Sequence, residues 1–170
     1  SYDSEGNTYI TGEQQYIRKE LVGTQTKNVF YYADIVCSKF DKSGKLIWMK
    51  KLPKTQVGTA GRGGMSVKFI KGNGSSYVLY LDNAKNANIQ MSEVPVKHSD
   101  GRGGYLSAYK IDDATGMVEK HTICNVDDIN GTEAFQFRTS RIFEAMDKVF
   151  MLEIYIKGKK DTMVKMELTK

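Results

Sequence analysis

The sequence predicts an all-β chain, and within that class a β-propeller segment of about two and a half four-stranded antiparallel blades; a β-sandwich is the alternative fold. Three observations lead there. First, β-branched and aromatic runs alternate with short Asp, Ser, Asn and Gly clusters that favour turns. Second, a turn followed by a β-rich run opens the chain as SYDSEGNTYITGE. It returns at 71–82 as KGNGSSYVLYLD, with Tyr77 in the place of Tyr9, and again at 145–154 as AMDKVFMLEI, with Val149 there. Third, DIVCSKFDKSGKLIW at residues 34–48 recurs as YLSAYKIDDATGMVEKHTI at 105–123, Lys39-Phe40-Asp41 aligning with Lys110-Ile111-Asp112 and Gly44 with Gly116. Four strands in each near-constant period, from Tyr9 to Tyr77 and from Tyr77 to Val149, is the pattern of propeller blades with long loops. A sandwich would not predict units of equal length.

The whole of residues 1–170 reads as one partial domain of three units, approximately 1–56, 57–126 and 127–170. In the first unit the expected strands are 8–13, 35–40 and 46–52, with little room for an earlier strand before Asp3. The middle unit is complete, with strands at 66–70, 77–82, 105–111 and 117–123. The last has strands at 141–144, 149–156 and 162–168. Phe143, Met146 and Phe150 also fit one face of a helix within 132–154. The β-rich runs 149–152 and 154–156, and their alignment with the other units, favour strand.

At 170 residues and 40% hydrophobic, the chain can bury one ordinary core. It contains no apolar run approaching the roughly 20 residues needed to cross a bilayer as a helix, and no charged n-region leading into an h-region. It begins at Ser1 without Met, the expectation for a processed product or a piece of something longer. The net charge of +5 is spread as single lysines. Its densest clusters, Lys50-Lys51-Lys54 and Lys157-Lys159-Lys160, fall at strand ends and read as solvated surface rather than a nucleic-acid footprint. Two cysteines are too few for a disulfide framework or a thiolate metal site. Cys37 is expected inside a strand and Cys124 at a strand end, and a bridge between them stays open.

Residues 3–13 and 33–48, DSEGNTYITGE and ADIVCSKFDKSGKLIW, resemble a bacterial repeat reading D-x-x-G-N-x-Y-x-x-G, then D-x-x-x-x-K-x-D, then G-x-x-x-W. That repeat belongs to secreted and cell-surface β-propellers. The second unit keeps the shape but has Glu119 where the first has Trp48, and the third keeps only its strands. The resemblance implies an extracytoplasmic protein, secreted, periplasmic or on the cell surface, without known catalysis and with more blades than these. Two and a half blades cannot close a ring, so the chain is expected to be completed by the remaining blades of a longer chain or by another protein chain, and not to be a stable monomer alone.

In a propeller, loop length separates two faces. The connections 41–45, 71–75, 112–116 and 145–147 are short and share one face. Those at 14–32, 53–64, 83–103 and 125–137 are long and share the other, where binding is expected. Tyr16, Phe30, Tyr31 and Tyr32 place four aromatics in the first long connection, suited to sugars or protein surfaces. GRGG at 61–64 and again at 101–104 places Arg62 and Arg102 on the same side, and a guanidinium fork suits carboxylate or phosphate. Glycines that permit positive φ, with Arg for solubility, are the favoured explanation of the motif. Tyr16, Tyr31, Tyr32, Arg62 and Arg102 are therefore the candidate ligand-binding residues.

Catalytic signatures are sparse. Asp3, Glu5 and Asn7 echo the alternating oxygens of a calcium loop, but Gly6 is misplaced and no bidentate Glu closes a 12-residue loop. Asp127 and Asp128 are adjacent rather than facing across a cleft. His121 has no ligand partner on its strand, and His98 reads as a surface loop residue. No nucleophile elbow, phosphate loop or zinc spacing occurs. No catalytic residue, metal or cofactor is expected. The function expected is a non-catalytic binding or structural module contacting protein or glycan, the alternative being a propeller-based polysaccharide lyase or hydrolase.

Overall fold

The computed structural model describes residues 1–59, 65–99, 103–127, 129, 134–146, 149–156 and 160–167. In chain order the strands are β1 (Thr8–Val22), β2 (Gln25–Phe40), β3 (Leu46–Leu52), β4 (Gln56–Gly58), β5 (Val67–Lys71), β6 (Ser75–Asp82), β7 (His98–Ser99), β8 (Tyr105–Asp112), β9 (Val118–Asn125), β10 (Ala134–Met146), β11 (Val149–Ile156) and β12 (Lys160–Glu167). The helical element among the described residues is a single 3-10 turn at Ala84–Asn86. The all-β class is as expected.

Three sheets result. In the first, β2 pairs with β1 along its length, with β3 over residues 35–40 and with β4 over residues 30–32; β7 joins β4 in parallel. The second is an antiparallel meander, β5-β6-β8-β9, and the third is β10-β11-β12. No sheet closes on itself among the described residues. The sheets lie face to face, which is sandwich-type packing, the alternative expected fold.

The second sheet is the middle layer. Along β6 the side chains alternate between two cores: Val78 and Tyr80 meet Tyr9, Ile35, Cys37, Trp48 and Leu52 of the first sheet, while Leu79 and Leu81 meet Ile142, Phe150, Leu152 and Ile154 of the third. Burying each such side chain contributes about 1.5–3 kcal/mol. Burial on both faces explains why SSYVLYLD is almost continuously apolar. The two cysteines are free and lie on opposite faces of this sheet, Cys37 in one core and Cys124 against the other, so the bridge left open by the sequence is not formed.

The two aligned turns have one construction. Asp41 Oδ1 accepts from Ser43 N, Ser43 Oγ and Lys45 N; Asp112 Oδ1 accepts from Ala114 N, Thr115 N and Thr115 Oγ1. Gly44 and Gly116 follow at φ +85° and +68°. At Gly116 a Cβ would lie 2.8 Å from Trp48 Cγ, so glycine is required both by the backbone and by the indole packed on it.

The main correction concerns residues 14–32. They are not a loop: β1 and β2 run on to a two-residue turn at Gly23-Thr24, pairing Tyr16 with Tyr31, Ile17 with Phe30 and Glu20 with Lys27. Glu, Gln, Lys and Arg have low intrinsic strand preference, which makes this stretch read as loop. Cross-strand pairs and the turn override that preference. The other long connections are partly structured as well, carrying β4, the 3-10 turn with β7, and the start of β10.

Candidate functional site

The β1–β2 ribbon of residues 15–32 forms an arm: β4 flanks its base at residues 30–32, where Tyr31 pairs with both Tyr16 and Val57, and from Arg18 and Val29 outward the ribbon is two-stranded. An isolated two-stranded ribbon is at best marginally stable. Side-chain contacts along one face reinforce this one. The Tyr16 and Tyr31 rings stack, centroids 4.7 Å apart and planes 7° from parallel. Arg18 Cζ lies 5.0 Å and 5.5 Å from their centroids, and the Tyr31 hydroxyl donates to Glu20. That bond, followed by burial, raises the Tyr31 phenol above its ordinary value. Val29, the partner of Arg18 on the same face, is buried. The opposite face presents Ile17 and Leu21, 58% and 74% exposed. Stacking and cation–π contacts of this kind contribute about 0.5–1.5 kcal/mol each, enough to hold the arm's conformation.

The arm stands on a buried polar junction. Lys54 Nζ donates to Tyr32 O (2.8 Å) and Gln56 Oε1 (2.9 Å) and forms an ion pair with Glu13 Oε1 at 2.7 Å. Ser66 Oγ donates to the other Glu13 oxygen, and Gln56 Nε2 to Leu81 O of the second sheet. Burial lowers the Lys54 ammonium's pKa, opposed by the Glu13 charge. Nearby, Asp82 accepts from Lys120 Nζ and Asn86 Nδ2, both at 2.6 Å. Lys54 was expected at the solvated surface; Glu13, from a distant part of the chain, draws it inside.

The five expected binding residues separate. Tyr16 and Tyr31 come together on the arm, on strands rather than in a loop. Tyr32, on the other face of β2, gives its carbonyl to Lys54 and has its ring 5.9 Å from that ammonium. Arg62 and Arg102 lie outside the described residues, as does Asp128. His98 is not a surface residue: β7 pairs beside β4 and buries it, leaving Nε2 without a partner among the described residues. Burial lowers its pKa. His121 is exposed, 3.4 Å from Glu119.

At the short-turn end a polar cleft of about 470 Å³ lies between the 3–7, 72–74 and 112–116 turns, lined by Tyr9, Lys39, Lys71, Asp3 and Asp113 among others. Lys71 Nζ and Ser76 Oγ bond the two carboxylate oxygens of Asp113, at 2.6 Å and 2.7 Å. Lys39 Nζ and Trp48 Nε1 both donate to the Asp113 carbonyl at 3.0 Å. Lys71 is ion-paired with Asp113, while Lys39 and Trp48 bond the Asp113 carbonyl from the first sheet, which makes the cleft a joint between sheets. The 3–7 stretch is a turn, as expected: Asp3 binds Glu5 N, Asn7 N, Asn7 Nδ2 and the Tyr9 hydroxyl.

Among the described residues no three His, Cys, Asp or Glu side chains converge as metal ligands, and no helix is long and apolar enough to cross a membrane. The sequence signal for the arm was present but faint: aromatic and apolar pairs placed symmetrically about Gly23-Thr24. No local signal marks Lys54 or His98 as buried. Comparison of the chain with family models, curated proteins and solved structures found no match.

Proposed function

We propose that this chain is a non-catalytic binding or structural module of an extracytoplasmic protein, part of a β-propeller completed by further strands of a longer chain or of another chain, and that the β1–β2 arm is its contact element for protein or glycan. The observation that carries the binding reading is the Tyr16–Tyr31 stack, fixed by Arg18 and Glu20 on a ribbon extending past the third strand. Prearranged aromatic area with hydroxyl tips is what sugar rings and protein hot spots engage, and prior ordering reduces the entropy lost on binding. The propeller reading is supported by the four-stranded meander of the middle sheet, by stacking of consecutive sheets and by the matched Asp41 and Asp112 turns. Extracytoplasmic placement rests on the repeat resemblance.

The test is a glycan array, with hits titrated by calorimetry, comparing the chain with Tyr16→Ser/Tyr31→Ser. Binding without turnover, weakened at least about tenfold in the double variant with an unchanged melt, is expected. Retained affinity in the variant removes the arm from the reading. Cleavage of a polysaccharide that is lost in Asp127→Asn replaces the module with an enzyme.

A further inference from the structure

The polar cleft at the short-turn end has an inner wall whose side chains are bonded to one another and a lining that also holds uncommitted polar groups. On the wall, Lys71 Nζ donates to Asp113 Oδ2 and to Gly72 O, both at 2.6 Å, and Ser76 Oγ donates to Asp113 Oδ1. Asp3 is equally committed, its two oxygens accepting from Glu5 N, Asn7 N, Asn7 Nδ2 and the Tyr9 hydroxyl. Lys39 differs. Its ammonium donates to the Asp113 carbonyl at 3.0 Å and lies 5.5 Å from the centroid of the Tyr9 ring, which Lys71 also approaches, to 5.1 Å. No carboxylate among the described residues pairs with Lys39, and an ammonium carries three donors, of which the carbonyl takes one.

The remaining lining decides what that ammonium can receive. Ser4, Glu5 and Asn73 line the cleft with exposed side chains. Glu5 is a like charge to a bare anion such as sulfate, but its oxygens are good acceptors for hydroxyl groups. Ser4 and the Asn73 amide both donate and accept. A carboxylate carried on a hydroxylated frame therefore uses all four groups, the charge at Lys39 and the hydroxyls at the others. The volume of about 470 Å³ lies within the ordinary range for small-ligand clefts.

We infer that this cleft is a binding site for a small hydroxylated carboxylate, the chemistry of a uronic acid, with Lys39 taking the carboxylate and Ser4, Glu5 and Asn73 the hydroxyls. The site goes beyond the proposed contact element, because it shares no residue with the arm. Lys39 belongs to the first sheet, and Asn73 and Asp113 belong to turns of the second, so an occupant also ties the two sheets together. The chain carries its own reporter: Trp48 Nε1 donates to the same Asp113 carbonyl as Lys39, so a ligand that draws on Lys39 changes the surroundings of the indole.

The test titrates galacturonate, a short oligogalacturonide, galactose and acetate into the chain, followed by Trp48 fluorescence and calorimetry, with amide shifts locating the site. Galacturonate is expected to bind at least about tenfold more tightly than galactose or acetate, and to lose at least about tenfold in Lys39→Gln. The shifted amides are expected at Ser4, Asn73, Gly74 and Ala114. Trp48 still holds the Asp113 carbonyl in Lys39→Gln; if that variant nonetheless melts early, Asn73→Ala, at an exposed position, is expected to weaken binding about threefold or more with the melt unchanged. Binding of the oligogalacturonide alone, lost in the same variants, assigns the same chemistry to a polymer chain rather than to the free acid. No binding of either acid, galactose or acetate bound as tightly as galacturonate, or affinity unchanged in Lys39→Gln overturns the inference. Galacturonate affinity unchanged in Tyr16→Ser/Tyr31→Ser is expected, and a loss there places the acid on the arm and overturns this site.

Discussion

Replacing Lys54 with Met isolates the junction under the arm. The Lys54 side chain is fully buried and that of Glu13 is 6% exposed. Methionine keeps most of the stem volume and removes the ammonium that serves Glu13, Tyr32 O and Gln56 Oε1. Gln56 keeps the bond from Ser66 N, but the Glu13 carboxylate is left with neutral donors on one oxygen, Ser66 Oγ and Gln15 Nε2, and the Tyr32 carbonyl loses the ammonium. An uncompensated buried charge costs about 3–5 kcal/mol, roughly a fifth or more of the stability of a typical domain. Glu13→Gln in the same chain removes the charge and is expected to restore at least about 2 kcal/mol, because the penalty belongs to the orphaned carboxylate. Urea unfolding followed by fluorescence of Trp48, the chain's one tryptophan and a buried one, reads both variants. A loss below about 1 kcal/mol in Lys54→Met, or a double variant as unstable as the sum of the two single variants, refutes the reasoning.

Two further outcomes follow from particular residues. Gly116→Ala meets both a left-handed backbone and the Trp48 indole at 2.8 Å and should cost about 2–4 kcal/mol; Gly44→Ala has the same backbone sign with nothing within 4 Å and should cost about 1–2 by the same melt. At acidic pH two groups destabilise the fold in sequence. Burial lowers the His98 pKa, with Asp82 and Asp127 opposing and Lys54 reinforcing, so its contribution is complete above about 6.5 and lost as pH falls below that value. For Asp3, burial raises the pKa, but hydrogen bonds from Asn7, Tyr9 and Glu5 outweigh it and hold it at about 2. Its contribution, about 1 kcal/mol after solvent screening, is lost between pH 3.8 and about 2. Urea midpoints should therefore fall in two steps, the upper absent in His98→Gln and the lower reduced in Asp3→Asn but not removed, because the Ser43 and Thr115 hydrogen bonds also hold Asp41 and Asp112 below the usual carboxylate range.

The middle sheet was legible because its strands carry their own evidence. Expected strands at 66–70, 77–82, 105–111 and 117–123 differ from Val67–Lys71, Ser75–Asp82, Tyr105–Asp112 and Val118–Asn125 by two residues or fewer at each end. Asp112 and Gly116 declared their turn through chemistry local to five residues. The arm was illegible because no core selects its alternation: residues 14–22 are mostly polar on both faces, and only pairing with 25–32 makes them strand. Lys54 and His98 were misplaced for a different reason. Their burial depends on Glu13, Gln56 and the β4–β7 pairing, contacts between distant segments that no window of sequence contains.

The loss of Trp48 at the equivalent position, Glu119, bears on how the sheets are held. Between the first and second sheets, Trp48 Nε1 and Lys39 Nζ grip the Asp113 carbonyl at one end, while the Tyr109 hydroxyl donates to Pro53 O and Gln56 to Leu81 O at the other. Apolar contact alone tolerates sliding, whereas buried bonds at both ends admit one alignment. A carboxylate at 119 accepts hydrogen bonds and has no N–H to offer a turn carbonyl, so it cannot repeat the Trp48 grip on a third sheet. The second and third sheets meet through Leu79, Leu81, Ile142, Phe150 and Leu152. Buried bonds thus fix the alignment where the first sheet meets the second, at the base of the arm. A contact element there gains from its base what a two-stranded ribbon lacks, a fixed position from which Tyr16 and Tyr31 can be presented.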